Sequence, residues 1–423
     1  MKNLSLSPTH RREHLTFKGN LKETRYGWLR LTPAYSVHLV AELLDKHAPA
    51  GANVLDPFCG TGTTALVCAE RGLLCDTTDI NPFLLWLAEV KSRRYSSAEL
   101  VRVETASAAV VRAIHAAGKA PEWMPPLHQI EKWWDEPTRH ALGRAFAAIK
   151  RAAEDEHVSV ADLLKVVFCR TMIACSNVSF GHQSMSFKKH DAQPTLSLVG
   201  SAADGIAVSW RKTASEIVAA AASEIAAVPR HLYCDARNLR AVLPESYYDC
   251  VVTSPPYPNR MSYIRELRPY MYWLGYLADG RAAGEMDWQA IGGTWGCATS
   301  NVAKWKPSEG ETVPSDGFGV TLERIAARSP LLSNYVRKYF HDMVAHCGGL
   351  YAVTKPGATV HYIVGNSKFY DTMLPVETIF AHMFAHVGFS DVDIKAIRKR
   401  TSKKELFEFV VSAKKPTTDI AHP

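Results

Sequence analysis

Apolar and polar positions near the amino end follow helical and strand spacing in turn. Apolar side chains recur at helical spacing over residues 35–44 and predict an amphipathic helix. The strand ANVLDPF, a helix over residues 64–71, the strand LLCDTTDI and a helix from Pro82 follow. Strands and helices that alternate through short connections are typical of a doubly wound, mostly parallel α/β sheet.

The pattern changes between residues 96 and 228, which are rich in alanine at helical spacing and too long for a simple crossover between strands. Apolar strands then resume in RHLYCDA, DCVVTSPPY and ATVHYIVGNS. The last two runs, FSDVDIKAIRKR and ELFEFVVSAKK, predict an antiparallel hairpin that closes the sheet. We therefore predict a polar, basic arm over residues 1–25 and a sheet core formed by residues 26–95 together with 229–415. We also predict a large helical insertion over residues 96–228 and a loop-rich insertion over residues 279–330.

Composition narrows the class of protein. The 423 residues are 47% hydrophobic and 22% charged, as in a folded globular chain. No apolar run is long enough for a membrane span, and the polar amino end does not resemble a secretory signal. Nine cysteines without a CxxC pair argue against a zinc site or a disulfide framework, and they fit a reducing cytoplasm. A net charge of +7 is compatible with a polyanionic partner.

The sequence DPFCGTGTT lies where the first strand ends and a helix begins. Gly60 and Gly62 allow a tight turn that approaches a ligand closely. Asp79 follows the next strand, where an acidic side chain can accept both hydroxyl groups of a ribose. The turn also satisfies the pattern G-x-G-x-x-A, so it is compatible with either a nicotinamide or another nucleoside cofactor.

Asp56 favours one of these cofactors. A carboxylate at the start of the turn would repel a pyrophosphate but would suit a ligand that carries an ammonium group. S-adenosylmethionine has an ammonium and a sulfonium group and no phosphate. The charge of Asp56 therefore favours S-adenosylmethionine over a dinucleotide.

The sequence TSPPY follows a second apolar strand. Pro255 and Pro256 remove two N–H donors and fix the chain, so carbonyl acceptors are left facing outward. Ser254 adds an acceptor and Tyr257 adds a flat ring. Acceptors beside an aromatic ring can hold the exocyclic amino group of a stacked nucleobase that has been flipped out of a duplex.

Together these motifs resemble those of the DNA amino-methyltransferases, which methylate an exocyclic amino group of adenine or cytosine. DPFCGTGTT resembles their motif I, TTDINP motif II, YCDAR motif III and TSPPY motif IV. RLTPAY resembles the segment that precedes the cofactor turn, and RKRTSKKELFEFVV resembles the carboxyl-terminal stretch of several cytosine-N(4) enzymes. The serine in SPPY resembles the cytosine-N(4) branch of the family. The long insertion between motifs II and III departs from the family pattern.

The resemblance implies a Rossmann-like methyltransferase fold and S-adenosylmethionine as cofactor. It implies a site-specific DNA methyltransferase that acts on the 4-amino group of cytosine in double-stranded DNA by base flipping and direct displacement. The residues that it assigns to catalysis are Ser254, Pro255, Pro256 and Tyr257. Those assigned to the cofactor are Thr32, Asp56, Phe58, Gly60, Thr61, Gly62, Thr63, Asp79, Ile80, Asp235 and Ala236.

Alternatives remain open at this point. Adenine-N(6) methylation differs by one motif residue, and an RNA amino-methyltransferase or a nicotinamide oxidoreductase would share the glycine turn. The expected partners are double-stranded DNA and a cognate restriction endonuclease, in the cytoplasm of a prokaryote and associated with its nucleoid, with no membrane and no metal. The DNA-recognition region is expected in residues 96–228, with residues 279–330 as the alternative. Arg398, Lys399, Arg400, Lys403 and Lys404 form a basic cluster that could contact DNA phosphates.

Overall fold

The computed structural model describes residues 15, 17–20, 24–31, 34–116, 123–179, 186–188, 201–400 and 405–417. Its strands are β1 (Asn53–Asp56), β2 (Leu74–Asp79), β3 (Val178–Ser179), β4 (Ser186–Phe187), β5 (Arg230–Tyr233), β6 (Tyr248–Thr253), β7 (Thr354–Gly365), β8 (Ser367–Phe369), β9 (Thr372–Leu374), β10 (Ser390–Lys399) and β11 (Phe407–Lys414).

The helices are α1 (Phe17–Asn20), α2 (Val37–His47), α3 (Thr63–Arg71), α4 (Pro82–Ser92), α5 (Ser97–His115), α6 (Glu136–Asp155), α7 (Val158–Ala174), α8 (Ala202–Ala221), α9 (Tyr263–Trp273), α10 (Gly280–Gln289), α11 (Cys297–Lys304), α12 (Phe318–Ala326), α13 (Pro330–Val353) and α14 (Val376–His386). Three short 3₁₀ helices cover Arg25–Gly27, Ile130–Lys132 and Ala236–Ala241. Within the described ranges no helix is both long and apolar enough to cross a membrane.

The main sheet has seven strands in the order β10-β11-β7-β6-β1-β2-β5. Strands β5, β2, β1, β6 and β7 are parallel neighbours, whereas β11 runs antiparallel to both β7 and β10. The predicted doubly wound α/β sheet and its antiparallel closing hairpin are therefore confirmed. The strand order reverses direction beside β1, and ligands of such sheets bind at the carboxyl ends of the strands near that point.

The predicted helical segment 96–228 contains α5 to α8 and the small hairpin β3–β4. Buried aromatic side chains form its core and extend into α9: Trp273 lies 5.2 Å from Phe168 and 5.9 Å from Trp134, centroid to centroid. The insertion therefore packs on the helix that follows the TSPPY strand. Burial of such large side chains supplies much of the stability of this contact.

The amino-terminal arm differs from the expectation at its carboxyl end. Arg25, predicted to lie in a polar arm, is fully buried. Its guanidinium donates to the carbonyl groups of Lys91 and Arg93 at the end of α4 and of Ala221 and Ser223 at the end of α8. The unpaired carbonyls that end two helices form a cradle for one cation, which the sequence pattern does not reveal.

Residues 279–330, expected to be loop-rich, contain the short helices α10, α11 and α12 with irregular segments between them. The Asp279 carboxylate accepts from the Ala282 N–H and begins α10. The buried Asp287 carboxylate accepts from the Ser262 hydroxyl and from the Thr294 and Trp295 N–H groups, which fixes the turn between α10 and α11. The glycines and tryptophans that indicated a loop belong to tight turns between short helices.

Candidate functional site

A large cavity opens at the carboxyl ends of β1, β2, β5 and β6. Its empty volume, open solvent included, is about 1390 Å³. Of the predicted site residues, the following line it: Phe58, Gly60, Asp79, Ile80, Asp235, Ala236, Ser254, Pro255, Pro256 and Tyr257. The structure thus brings the glycine turn and the proline turn to one cavity.

Four main-chain amides of the glycine turn are used within the protein. The Phe58 N–H donates to Asp56, Cys59 to the Thr78 carbonyl, Gly60 to Asp79 and Gly62 to the Cys59 carbonyl. A phosphate loop needs several such N–H groups free to point at the ligand. These four N–H groups are therefore not free to bind a pyrophosphate.

The Asp56 carboxylate does not line the cavity. It is fully buried and accepts from the Tyr35 hydroxyl (2.9 Å), the Thr253 hydroxyl (2.6 Å) and the Phe58 N–H (3.2 Å). Burial raises the pKa of Asp56 to about 7, although these hydrogen bonds act in the opposite direction. Asp56 thus ties the end of β1 to the end of β6, and the predicted contact with a cofactor ammonium is not part of this geometry.

Three other predicted residues of the turn, Thr61, Gly62 and Thr63, also lie behind the cavity wall. Gly62 begins α3 with φ +75°, and a Cβ on it would lie 2.6 Å from the Ala88 Cβ. Only glycine permits this close packing of the turn against α4. Thr32 lies outside the described residues.

Two carboxylates stand at the ends of β2 and β5. Asp79 accepts from the N–H groups of Gly60 and Asn81 at 3.0 and 2.9 Å, and burial raises its pKa to about 6. Asp235 pairs with Arg237 at 2.6 Å, and the hydrogen bonds and charge of Arg237 lower the pKa of Asp235 although burial opposes them. Both carboxylates line the cavity, beside the apolar side chains of Phe58 and Ile80.

The proline turn presents acceptors of two kinds. The Ser254 hydroxyl donates its proton to the Ile363 carbonyl at 3.0 Å, so its oxygen can only accept from another group. The Pro256 carbonyl is occupied, because the Tyr339 hydroxyl donates to it at 2.8 Å. Within the described ranges no donor reaches the Pro255 carbonyl. Ser254 and Pro255 therefore provide the acceptors that this turn leaves for a ligand.

The Tyr257 ring is held on several sides. The Arg400 guanidinium lies 5.4 Å from the ring centroid, and the phenol donates to Glu408 over 3.3 Å. A Cβ on Gly365, at the end of β7, would lie 2.8 Å from the ring. Arg398 pairs with Glu408 at 2.6 Å and so completes this group of residues from the closing hairpin.

Sequence reasoning missed several residues that line the cavity. Asn259, Met261 and Tyr263 follow the proline turn in sequence, and their proximity to that motif is the signal that could have identified them. Tyr35, at the end of the RLTPAY segment, also lines the cavity. Arg398, Arg400 and Glu408 reach the cavity from the hairpin β10–β11. Of the basic cluster at the carboxyl end, Lys403 and Lys404 lie outside the described residues.

No metal centre is recognised in the part of the chain that the structure describes, because no group of three or more His, Cys, Asp or Glu side chains could hold an ion there.

Comparison with known proteins gives relatives of one kind. No family model matches the chain. Type II methyltransferase M.AvaI from Nostoc sp. is 22% identical over 428 residues, which cover 90% of this chain and 82% of that protein. Type II methyltransferase M.BsoBI from Geobacillus stearothermophilus is 20% identical and covers 93% of this chain and 84% of its own length. Type II methyltransferase M.MjaII from Methanocaldococcus jannaschii is 38% identical over 65 residues, 15% of this chain and 12% of that protein.

Among solved structures, the chain is similar to the rRNA methyltransferase aviRa from Streptomyces viridochromogenes. The two are 14% identical, and the likeness covers 90% of this chain and 86% of that one with a TM-score of 0.28. A TM-score this low carries no weight for either fold or substrate.

The strand order, the cavity at the carboxyl ends of the strands and the sequence relatives define the chain as a methyltransferase on a Rossmann-like α/β fold. Its resemblance to the DNA methyltransferase family is confirmed by the likeness to M.AvaI and M.BsoBI, which extends over nine-tenths of the sequence.

Proposed function

We propose that this protein is a site-specific DNA methyltransferase that transfers a methyl group from S-adenosylmethionine to the exocyclic 4-amino group of cytosine. The observation that carries the proposal is the pair of acceptors, the Ser254 hydroxyl oxygen and the Pro255 carbonyl, in the same cavity as Asp79 and Asp235. The Type II methyltransferase relatives support DNA as the substrate and a restriction–modification setting with a cognate endonuclease.

The cofactor half of the cavity fits S-adenosylmethionine. Asp79 would accept from the ribose hydroxyls, Asp235 and Ala236 would border the adenine, and Phe58 and Ile80 would pack on its faces. The N–H groups of Phe58, Cys59, Gly60 and Gly62 are already used within the protein, so they cannot bind the pyrophosphate of a nicotinamide dinucleotide. This arrangement favours S-adenosylmethionine over the oxidoreductase alternative.

The substrate half suits an amino group. Ser254 Oγ would accept a hydrogen bond from one N–H group of the cytosine amino group, and the Pro255 carbonyl would accept one from the other N–H group. These bonds would hold the nitrogen in a pyramidal form, in which its lone pair is less delocalised into the ring and can attack. When bound, S-adenosylmethionine supplies an electrophilic methyl group whose bond to sulfur breaks as the new bond to nitrogen forms. SPPY contains no carboxylate, so we expect the proton that the nitrogen loses to pass to water.

Access to the amino group requires that the base leave the duplex. Tyr257 lines the cavity beside the acceptors, and Arg400 lies over its ring. We propose that the flipped cytosine stacks on the face of Tyr257 that Arg400 leaves open. Residues 96–228 pack on α9 next to this site, and we propose them as the DNA-recognition region, with residues 279–330 as the alternative.

The proposal is tested by incubating unmethylated duplex DNA with labelled S-adenosylmethionine and identifying the modified nucleoside by mass spectrometry. We expect N(4)-methylcytosine. N(6)-methyladenine would establish the adenine alternative, label in RNA alone would establish the RNA alternative, and an unlabelled result with bound NADH fluorescence would establish an oxidoreductase.

The cofactor assignment has its own test. Replacing Asp79 by alanine removes a charged acceptor, and hydrogen bonds to charged groups contribute about 1.5–3 kcal/mol. We expect Asp79→Ala to weaken S-adenosylmethionine binding by about 10- to 100-fold in titration calorimetry. Asp45→Ala is the matched control, because Asp45 pairs with Arg71 on the surface and does not line the cavity. Equal affinity in Asp79→Ala and the control would contradict the assignment.

A further inference from the structure

A second cavity adjoins the first at the carboxyl end of β7. Its empty volume, open solvent included, is about 700 Å³. Asn259 and Arg400 line both cavities, so the two are neighbours across the proline turn. Ser367 and Lys368 of β8, the strand that follows β7 after Asn366, form part of its wall. Ligand sites in open α/β sheets lie at this edge of the sheet.

The lining of the second cavity is cationic. It includes Arg260, Lys368 and Arg400, and among the described residues no carboxylate lines it. Lys368 pairs with the exposed Glu405 at 2.8 Å, and Asp371 also lies near its charge. Within the described ranges no carboxylate pairs with Arg260 or with Arg400. Two guanidinium groups therefore keep their charge available, and this arrangement suits an anion that accepts several N–H bonds.

Ser367 provides an independent indication of a ligand. Its side chain is only 4% exposed, yet among the described residues no group forms a hydrogen bond with its Oγ. A buried hydroxyl without a partner destabilises a folded protein. Ser367 also belongs to the wall of the cationic cavity, and its buried hydroxyl gains a partner if its side chain turns towards a bound anion that accepts its proton.

We propose that this cavity binds a backbone phosphate of the DNA strand that carries the target base. The inference rests on the proposed function. A base and its phosphates are joined through one sugar, so a base that stacks on Tyr257 brings phosphates to the adjoining cavity. The Arg400 guanidinium lies over the Tyr257 ring, and Arg400 also lines the second cavity. Arg400 therefore links the two sites. Arg260, Ser367 and Arg400 would donate to the phosphate oxygens.

The first test measures DNA affinity against salt concentration for Arg260→Asn. The main chain at Arg260 has φ +67°, a conformation that asparagine tolerates, so the variant removes the charge without added strain. Only main-chain atoms of Arg260 bond to Tyr335 and Thr294, and these bonds remain. We expect affinity to fall about 10-fold and the salt slope to fall by about one.

Two controls accompany this variant. Arg260→Lys keeps the charge and should restore most of the salt slope. Arg281→Gln removes an equal charge from a side chain that is 85% exposed and lines neither cavity, and it should leave the slope unchanged. S-adenosylmethionine affinity should be the same in every variant, because the cofactor half of the first cavity is untouched.

The second test is Ser367→Ala. A structural hydroxyl would stabilise the free protein, whereas a hydroxyl that waits for a ligand does not. We therefore expect the melting temperature of Ser367→Ala to equal or exceed that of the wild type, while DNA affinity falls several-fold. A lower melting temperature with unchanged DNA affinity would overturn the role of Ser367 in phosphate binding.

The outcomes separate this inference from the proposed function. A wild-type protein that binds no DNA would overturn both. Methylation of DNA with an unchanged salt slope in Arg260→Asn would overturn the phosphate site alone. Stabilisation by inorganic phosphate that is lost in Ser367→Ala, without any change in DNA affinity, would assign the cavity to free phosphate and would also overturn the inference.

Discussion

The glycine turn after β1 and the proline turn after β6 leave neighbouring strands at the same edge of the sheet, but they treat their polar groups in opposite ways. In the glycine turn the N–H groups of Phe58, Cys59, Gly60 and Gly62 are bonded within the protein, and the buried Lys91 ammonium donates to the Thr61 carbonyl at 3.1 Å. In the proline turn Ser254 and Pro255 line the cavity; among the described residues no donor reaches the Pro255 carbonyl, and the Tyr257 phenol is the side chain close to the Ser254 hydroxyl.

The difference indicates that the glycine turn has a structural role and that the proline turn binds substrate. A turn whose polar groups are satisfied internally is rigid and contributes a fixed wall, here the wall beside the cofactor half of the cavity. Acceptors that are left open cost stability in the free protein and are retained where a substrate donates to them. Substitutions in the glycine turn should therefore change folding, and substitutions in the proline turn should change turnover.

The largest expected effect is on turnover, in Ser254→Ala. Loss of one positioned hydrogen-bonding group in an active site commonly costs about 10²- to 10³-fold in rate. We expect kcat for DNA methylation to fall by about this factor while S-adenosylmethionine affinity stays the same, measured by steady-state kinetics and calorimetry. Ser333→Ala is the matched control, because Ser333 Oγ also donates to a carbonyl, that of Leu322, and neither residue lines either cavity. Unaltered turnover in Ser254→Ala would contradict its role.

The next effect is on stability, in Gly62→Ala. The new Cβ would lie 2.6 Å from Ala88, at a φ of +75°. Overpacking costs about 1–3 kcal/mol and a left-handed conformation about 1–2 kcal/mol, so we expect a loss of about 2–4 kcal/mol in urea unfolding. Gly51→Ala shares the positive φ of +76° but has nothing within 4 Å of its Cβ. Equal losses in the two variants would show that contact with Ala88 is unimportant.

Much of the sheet and both turns could be predicted from sequence, because buried parallel strands and Gly or Pro turns leave local signals. The helices over 279–330 could not, since Asp279 and Asp287 fix them through hydrogen bonds between residues that no periodic pattern connects. The burial of Asp56 depends on Tyr35 and Thr253, which are distant in sequence. Arg25 was misplaced for the same reason, because its partners lie at the ends of α4 and α8.

A smaller effect is expected in the pH dependence of stability. Asp56 has an ordinary pKa of 3.8 in the unfolded chain and a pKa of about 7 in the folded one, and burial is the main cause. Because the folded state holds the proton more tightly, the stabilisation is complete below about pH 4 and is lost as the pH rises towards 7. Asp56→Asn cannot titrate, so its melting temperature should fall less than that of the wild type between pH 4 and 7.

The neighbouring carboxylate provides the reference for that measurement. Asp79 also has a raised pKa, of about 6, and its charge raises the pKa of Asp56 further. Asp79 changes the melting temperature with pH in the same direction in both proteins. The difference between wild type and Asp56→Asn therefore measures the contribution of Asp56. If the melting temperatures of the two proteins changed equally with pH, the raised pKa of Asp56 would be contradicted, and so would its burial within the glycine turn.

The smallest effect is expected in Tyr257→Phe, which tests what the proline turn uses its aromatic residue for. The phenol bond to Glu408 is long, at 3.3 Å, and Glu408 keeps its pair with Arg398 when the phenol is removed. The ring itself, packed against Gly365 and beneath Arg400, is unchanged. If the ring serves as a stacking surface, kcat and the KM for DNA should change by less than about 3-fold, because the bond that is lost is long and Glu408 stays paired with Arg398.

Tyr257→Ala provides the contrast, because stacking of a base on an aromatic side chain contributes about 1–3 kcal/mol. We expect its KM for DNA to rise by about 10- to 100-fold, with S-adenosylmethionine affinity retained. If Tyr257→Phe instead lost as much turnover as Ser254→Ala, the Tyr257 hydroxyl would have a catalytic role. The Tyr257 phenol would then join Ser254 and Pro255 as an oxygen of the proline turn that acts on the substrate. The proline turn would differ even more from the glycine turn, whose bonded N–H groups act within the protein.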